Sequence, residues 1–160
     1  MKLLPIERET MTERIESVKA GAIASLSFLL IFVITALLNE TIIAPQFANS
    51  APLFSSQPLL FTTASAGFMG FLFGVTYRYI IRADNNVHLK SGAVLAFGLV
   101  RALAKIEIEL SLEGRNLAIW ESILPASAIA IESILGFAVA GVILDAAIAR
   151  NWVKPFDSES

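Results

Sequence analysis

The sequence predicts an all-α integral membrane protein with four transmembrane helices, paired as two helical hairpins that can be read as a tandem repeat. Three observations predict it. The 160 residues are 56% hydrophobic and only 16% charged, against about 25% charged in a soluble domain. Uncharged runs of membrane-spanning length recur along the chain. Finally, Lys and Arg are divided unevenly between the segments joining those runs.

Residues 1–19 form a polar segment of mixed charge, with Glu7, Arg8, Glu9, Glu13, Arg14, Glu16 and Lys19. Thr10 or Thr12 could cap a short helix there, carrying Ile15 and Val18 on one side. This segment is expected to be a solvated lead-in. The four-helix domain then occupies residues 20–150, and residues 151–160 make a polar tail.

Ala20 to Leu38 carries no charge and predicts the first span. It exceeds the ~7–15 apolar residues of a cleaved leader. Gly21 and Ser25 give it one small-residue face. Residues 39–58 hold Pro45, Pro52 and Pro58 without Lys or Arg, and predict a loop or short re-entrant segment.

Leu59 to Tyr77 predicts the second span. Thr62, Ala66, Gly70 and Gly74 recur every four residues, so one face is small throughout. Such faces let helix backbones approach closely in a membrane. They serve packing within the chain or a homo-oligomer face. Tyr77 and Tyr79 suit the interfacial aromatic belt, with Arg78 and Arg82 just beyond.

Ala83 to Lys90 reads as a polar turn containing His88. Ser91 to Leu110 is ambiguous. It starts apolar and then carries Arg101, Lys105, Glu107 and Glu109. It predicts a third span, with a re-entrant helix ending near Val100 as the competing reading. Ser111 to Trp120 reads as a turn.

The fourth span, Ile123 to Leu144, has one charge, Glu132. A carboxylate within a span is costly and calls for a partner or a purpose. Ala128, Gly136 and Ala140 flank it at four-residue steps, which predicts that Glu132 faces protein rather than lipid. By helical rise, Lys105 should sit at similar depth, with Arg101 deeper but within reach. The three form a candidate buried ion pair, a proton or cation site, or a contact to a partner subunit or lipid headgroup. The residues expected to pack helices are Ala66, Gly70, Gly74, Gly136 and Ala140.

With the N-terminus in the cytoplasm, the inner segments hold Lys2, Arg8, Arg14, Lys19, Arg78, Arg82, Lys90, Arg150 and Lys154. The outer segments hold Lys105 and Arg115. That bias predicts that both termini are cytoplasmic. Lys19-Ala-Gly-Ala-Ile returns as Lys90-Ser-Gly-Ala-Val, and Gly70-Phe71 and Gly74-Val75 return as Gly136-Phe137 and Gly141-Val142. A duplication on this pattern would pair Leu30 with Arg101 and Ala66 with Glu132.

No phosphate loop, nucleophile elbow or paired metal-ligand helix is present, so an enzyme is the least supported class. With no cysteine and one histidine, no structural metal site and no cofactor is expected. His88 as a porphyrin ligand is a minor alternative. A net charge of −2 gives no sign of a nucleic-acid partner. The expected partners are membrane lipid and other integral membrane proteins or further copies of the chain.

The run from Phe73 through Tyr77-Arg-Tyr-Ile-Ile-Arg-Ala-Asp-Asn-Asn-Val-His88 to Arg101 resembles a segment of small, uncharacterised integral membrane proteins of cyanobacteria and chloroplasts. The resemblance covers about a fifth of the chain, the remainder agreeing only in hydropathy. It implies a thylakoid or plasma-membrane setting and carries over no functional residues. The leading expectation is therefore a non-enzymatic accessory, assembly or scaffolding protein. The alternative is a small oligomeric transporter or channel using Glu132 with Arg101 and Lys105.

Overall fold

The computed structural model describes residues 5–38, 41, 59–81, 86–113 and 119–156, with side chains over 11–38, 41, 60–81, 86–108 and 127–156. The proline-containing segment 42–58, Arg82 and Arg115 lie outside the described residues. Four helices follow one another: α1 Pro5–Leu38, α2 Leu59–Ile80, α3 Val87–Glu113 and α4 Ile119–Ala149. No strand occurs among the described residues.

Three of the helices, α1, α2 and α4, are long and apolar enough to cross a membrane. Each holds the apolar run expected of it. The boundaries differ most at α1, which begins at Pro5 rather than near Ala20. Proline suits a first helical position, where its missing N–H has no intrahelical acceptor to serve. The polar lead-in thus continues the first span as one helix. His88, expected in a turn, lies in the first turn of α3. Asn86 starts that helix by accepting the His88 backbone N–H on its side-chain oxygen at 3.0 Å.

The helices pack as two antiparallel hairpins, α1 on α2 and α3 on α4, joined mainly where α1 meets α4. In the first hairpin the small faces interlock. A Cβ on Gly74 would lie 2.6 Å from Ala24 Cβ, and one on Gly70 would lie 2.9 Å from Ser25 Cα. Ser25 Oγ also donates to the Gly67 carbonyl at 2.8 Å across the same seam. The four-residue ladder on α2 therefore packs within the chain. Ala66, Gly70, Gly74, Gly136 and Ala140 are all buried.

Between the hairpins lies an aromatic cluster. Phe137 touches Phe28, Phe73 and Phe97 at centroid separations of 4.4, 5.0 and 5.7 Å. Phe73 in turn meets Phe97 at 5.4 Å and Tyr77 at 5.1 Å. These tilted and edge-on contacts are the arrangement that aromatic quadrupoles favour.

The positions paired by the suggested duplication differ in setting. Gly70 meets α1 of its own hairpin, whereas Gly136 meets Phe28 of the other. Leu30 is exposed and Arg101 buried. The shared Gly-Phe pairs thus serve different contacts.

Candidate functional site

Two polar centres sit on either side of the aromatic cluster. The first contains the residues expected from sequence. Lys105 Nζ and Glu132 Oε1 stand 3.8 Å apart, with side chains 17% and 18% exposed. The pair is an ion pair beyond hydrogen-bonding distance. Arg101, one turn before Lys105, is 6% exposed. Its guanidinium lies over Phe28 at 5.1 Å and Phe32 at 5.9 Å from the ring centroids. Ring faces attract cations more strongly where water is excluded. Next to Glu132, the buried Ser133 hydroxyl has no hydrogen-bond partner among the described residues. The structure thus brings Arg101, Lys105 and Glu132 together, with α3 and α4 supplying the charges and α1 the rings.

The second centre, at the opposite end of the bundle, is denser. Arg78 is completely buried. Its Nε donates to the Lys154 carbonyl at 2.8 Å. Its Nη1 donates to the Glu13 carbonyl at 3.1 Å and to Ser17 Oγ at 2.7 Å. Its Nη2 donates to the Glu13 carboxylate. Charge-assisted bonds of this kind are the strong ones, and the fork of a guanidinium suits several acceptors at once.

Glu16, one turn along α1, accepts from Lys19 Nζ at 2.7 Å and from the Lys154 backbone N–H at 3.0 Å. The tail reaches this position through a tight helix stop. Asn151 adopts φ 59°, and the N–H groups of Asn151 and Trp152 return to the Ile148 and Ala147 carbonyls, each at 2.9 Å. This is a Schellman turn with asparagine in the left-handed position. It directs Val153 into the core and Phe156 against Tyr79, at 4.9 Å between centroids.

A further rung completes this end. Lys90 Nζ donates to Asp145 Oδ2 at 3.0 Å, and the Tyr77 hydroxyl donates to Asp145 Oδ1 at 3.3 Å. The Lys90–Asp145 and Lys105–Glu132 rungs both tie α3 to α4. At 1.5 Å per residue they lie roughly 20 Å apart along the helices, with the Phe97–Phe137 contact between them.

Arg78 was expected at the membrane interface, and Glu13, Glu16 and Asp145 carried no expected role. A signal for Arg78 was present. It stands four residues after Gly74 and so continues the Thr62, Ala66, Gly70, Gly74 ladder on the packed face. The tail contacts had no comparable signal, because Glu16 and Lys154 are 138 residues apart. No group of three or more His, Asp or Glu able to hold a metal occurs among the described residues. No family model matches the chain, and the searches of curated proteins and of solved structures found no match.

Proposed function

We propose that the chain is a four-span membrane module that acts as a non-enzymatic accessory, assembly or scaffolding subunit, packing against partner membrane subunits. The observation that carries this reading is the orientation of α3. Its polar cations point inward: Arg101 is buried and Lys105 is largely covered. Its outward residues, Leu95, Leu99, Val100 and Leu103, are apolar and exposed. A helix that turns its cations inward and leucine outward suits a lipid or protein surrounding rather than water. Arg101 and Lys105, which lower the average hydropathy of α3, are largely covered, whereas Glu107 near its C-terminal end is exposed; the covered cations support a fourth span.

The same outward surface contains Gly92, Ala96 and Ala104, all exposed. A Cβ on Gly92 would meet nothing within 4 Å. The interlocked face of α2 is already used by α1, whereas this small-residue surface of α3 stays open to a partner. The uneven Lys and Arg distribution supports cytoplasmic termini. The resemblance of the 73–101 run to proteins of cyanobacteria and chloroplasts supports a photosynthetic membrane.

Extraction of native membranes in mild detergent, followed by a native gel and mass spectrometry, tests the reading. Co-migration with a larger membrane complex is expected. Migration only at the size of the chain or its homo-oligomer contradicts it.

One observation favours the transport reading as the alternative. The Lys105–Glu132 rung is long, its ammonium and carboxylate standing short of a direct hydrogen bond at partly covered positions. On that reading Glu132→Gln stays folded and loses ion flux in liposomes. On the scaffold reading it loses stability or partner retention.

A further inference from the structure

α1 is longer than a bilayer crossing needs, and an apolar stripe runs along its outward side through the described side chains. Met11, Ile15, Val18, Leu26, Leu30, Val33 and Leu37 are exposed and form one continuous stripe at helical spacing. From Met11 to Leu37 the stripe runs about 39 Å at 1.5 Å per residue. The hydrocarbon core is only about 30 Å thick. Set along the membrane normal, the stripe leaves roughly two turns at headgroup depth.

In those turns the charges are sorted by sign. The carboxylates turn inward: Glu13 pairs with Arg78, and Glu16 bonds Lys19 and the Lys154 N–H. The cations turn outward. Arg14 is exposed, and the Lys19 side chain is 51% exposed while giving one bond to Glu16. Together with Met11, Ile15, Val18 and Ala22 they line a shallow groove of about 350 Å³ on the outer surface. The groove lining is apolar throughout, so Arg14 and Lys19 give it their aliphatic stems.

We infer that this groove is a binding site for an anionic phospholipid, with the headgroup phosphate between Arg14 and Lys19 and the upper acyl chain on Ile15, Val18 and Ala22. The apolar floor continues directly into the outward face of the first span, so an acyl chain follows it without leaving the hydrocarbon. Long cationic side chains at such a depth place their heads among phosphates while their stems cover apolar surface. The inference rests on the membrane reading of α1.

Native mass spectrometry of the detergent-purified full chain, offered equimolar dioleoylphosphatidylglycerol and dioleoylphosphatidylcholine, tests it. The wild type should carry the phosphatidylglycerol adduct in about fivefold excess, the scale expected for one effective cation at a membrane surface. Arg14→Gln with Lys19→Gln should bring the ratio close to unity. Arg14→Gln alone touches none of the Arg78 contacts and should remove a measurable part without changing the melting temperature. Arg150→Gln, exposed at the end of α4, should leave the preference intact.

Equal adducts on the wild type, or a preference that survives the double variant, overturn the site. A dimer signal abolished by Val18→Arg without any lipid preference would seat a second copy in the groove and also overturn it. Retention in native membranes after an alkaline carbonate wash separates the two levels. A chain that stays but shows no preference lacks this site, whereas a chain that washes off refutes the membrane reading as well.

Discussion

The two hairpins solve the burial of an arginine differently. In the first hairpin, Arg78 is fully enclosed, and its donors meet two carbonyls, a hydroxyl and a carboxylate. In the second, Arg101 is nearly as buried but rests on two phenylalanine rings. Glu132, on the facing helix, is engaged with Lys105. A buried charge is tolerated when its partners are complete and is a liability when they are removed singly. The first hairpin is thus a locked structural unit, closed by the returning tail. The second holds its charges more loosely, and the outward face of its α3 is the surface proposed to receive a partner.

The largest expected effect separates the two arginines. Arg78→Met strands the Glu13 carboxylate and two tail and helix carbonyls, and should cost roughly 3–5 kcal/mol. Arg101→Met leaves the Lys105–Glu132 pair in place and fills similar apolar space, so its effect should stay within about 1 kcal/mol. Thermal unfolding in detergent compares them, and equal losses would erase the distinction between the hairpins.

Next come the glycines. A Cβ at position 74 meets the backbone and side chains of Ala20 and Ala24, so Gly74→Ala must push α1 away at about 1–3 kcal/mol. Gly92→Ala meets open space and should stabilise α3 by about 0.5–1 kcal/mol through helix propensity. Native-gel recovery of a partner complex after Gly92→Leu sharpens this contrast. Loss of the complex with an unchanged melting temperature is the outcome expected of a partner surface.

A further effect concerns the tail that locks the first hairpin. Asn151 holds a left-handed backbone, so Asn151→Val should cost about 1–2 kcal/mol, while Asn151→Gly is tolerated. Hydrogen exchange at the Lys154 amide reports whether the tail still reaches Glu16. Unchanged protection in Asn151→Val would show that the turn is not what directs the tail.

Much of the fold was legible because membrane spans announce themselves locally. Uncharged runs placed α1, α2 and α4, and depth counting placed Lys105 beside Glu132. Hydropathy is blind to which way a side chain points, which is why α3 stayed ambiguous: Arg101 lowers the average although it faces Phe28. The lead-in was read as solvated because Glu13, Glu16 and Arg14 are polar. Glu13 and Glu16 find partners 65 and 138 residues away, and no local pattern encodes such pairings. Arg78 was the exception, since the four-residue ladder of α2 already pointed to its packed face.

The most direct test of the account is the disposition of α3 in the bilayer. The chain has no cysteine, so single cysteines introduced at Val87, Leu99, Leu103 and Glu113 report cleanly to a membrane-impermeant maleimide on sealed vesicles. A spanning α3 with its leucines outward predicts that Leu99→Cys and Leu103→Cys stay unlabelled, while Val87→Cys and Glu113→Cys label from opposite sides. Labelling of Leu103→Cys in intact membranes, or of both ends from the same side, would contradict it.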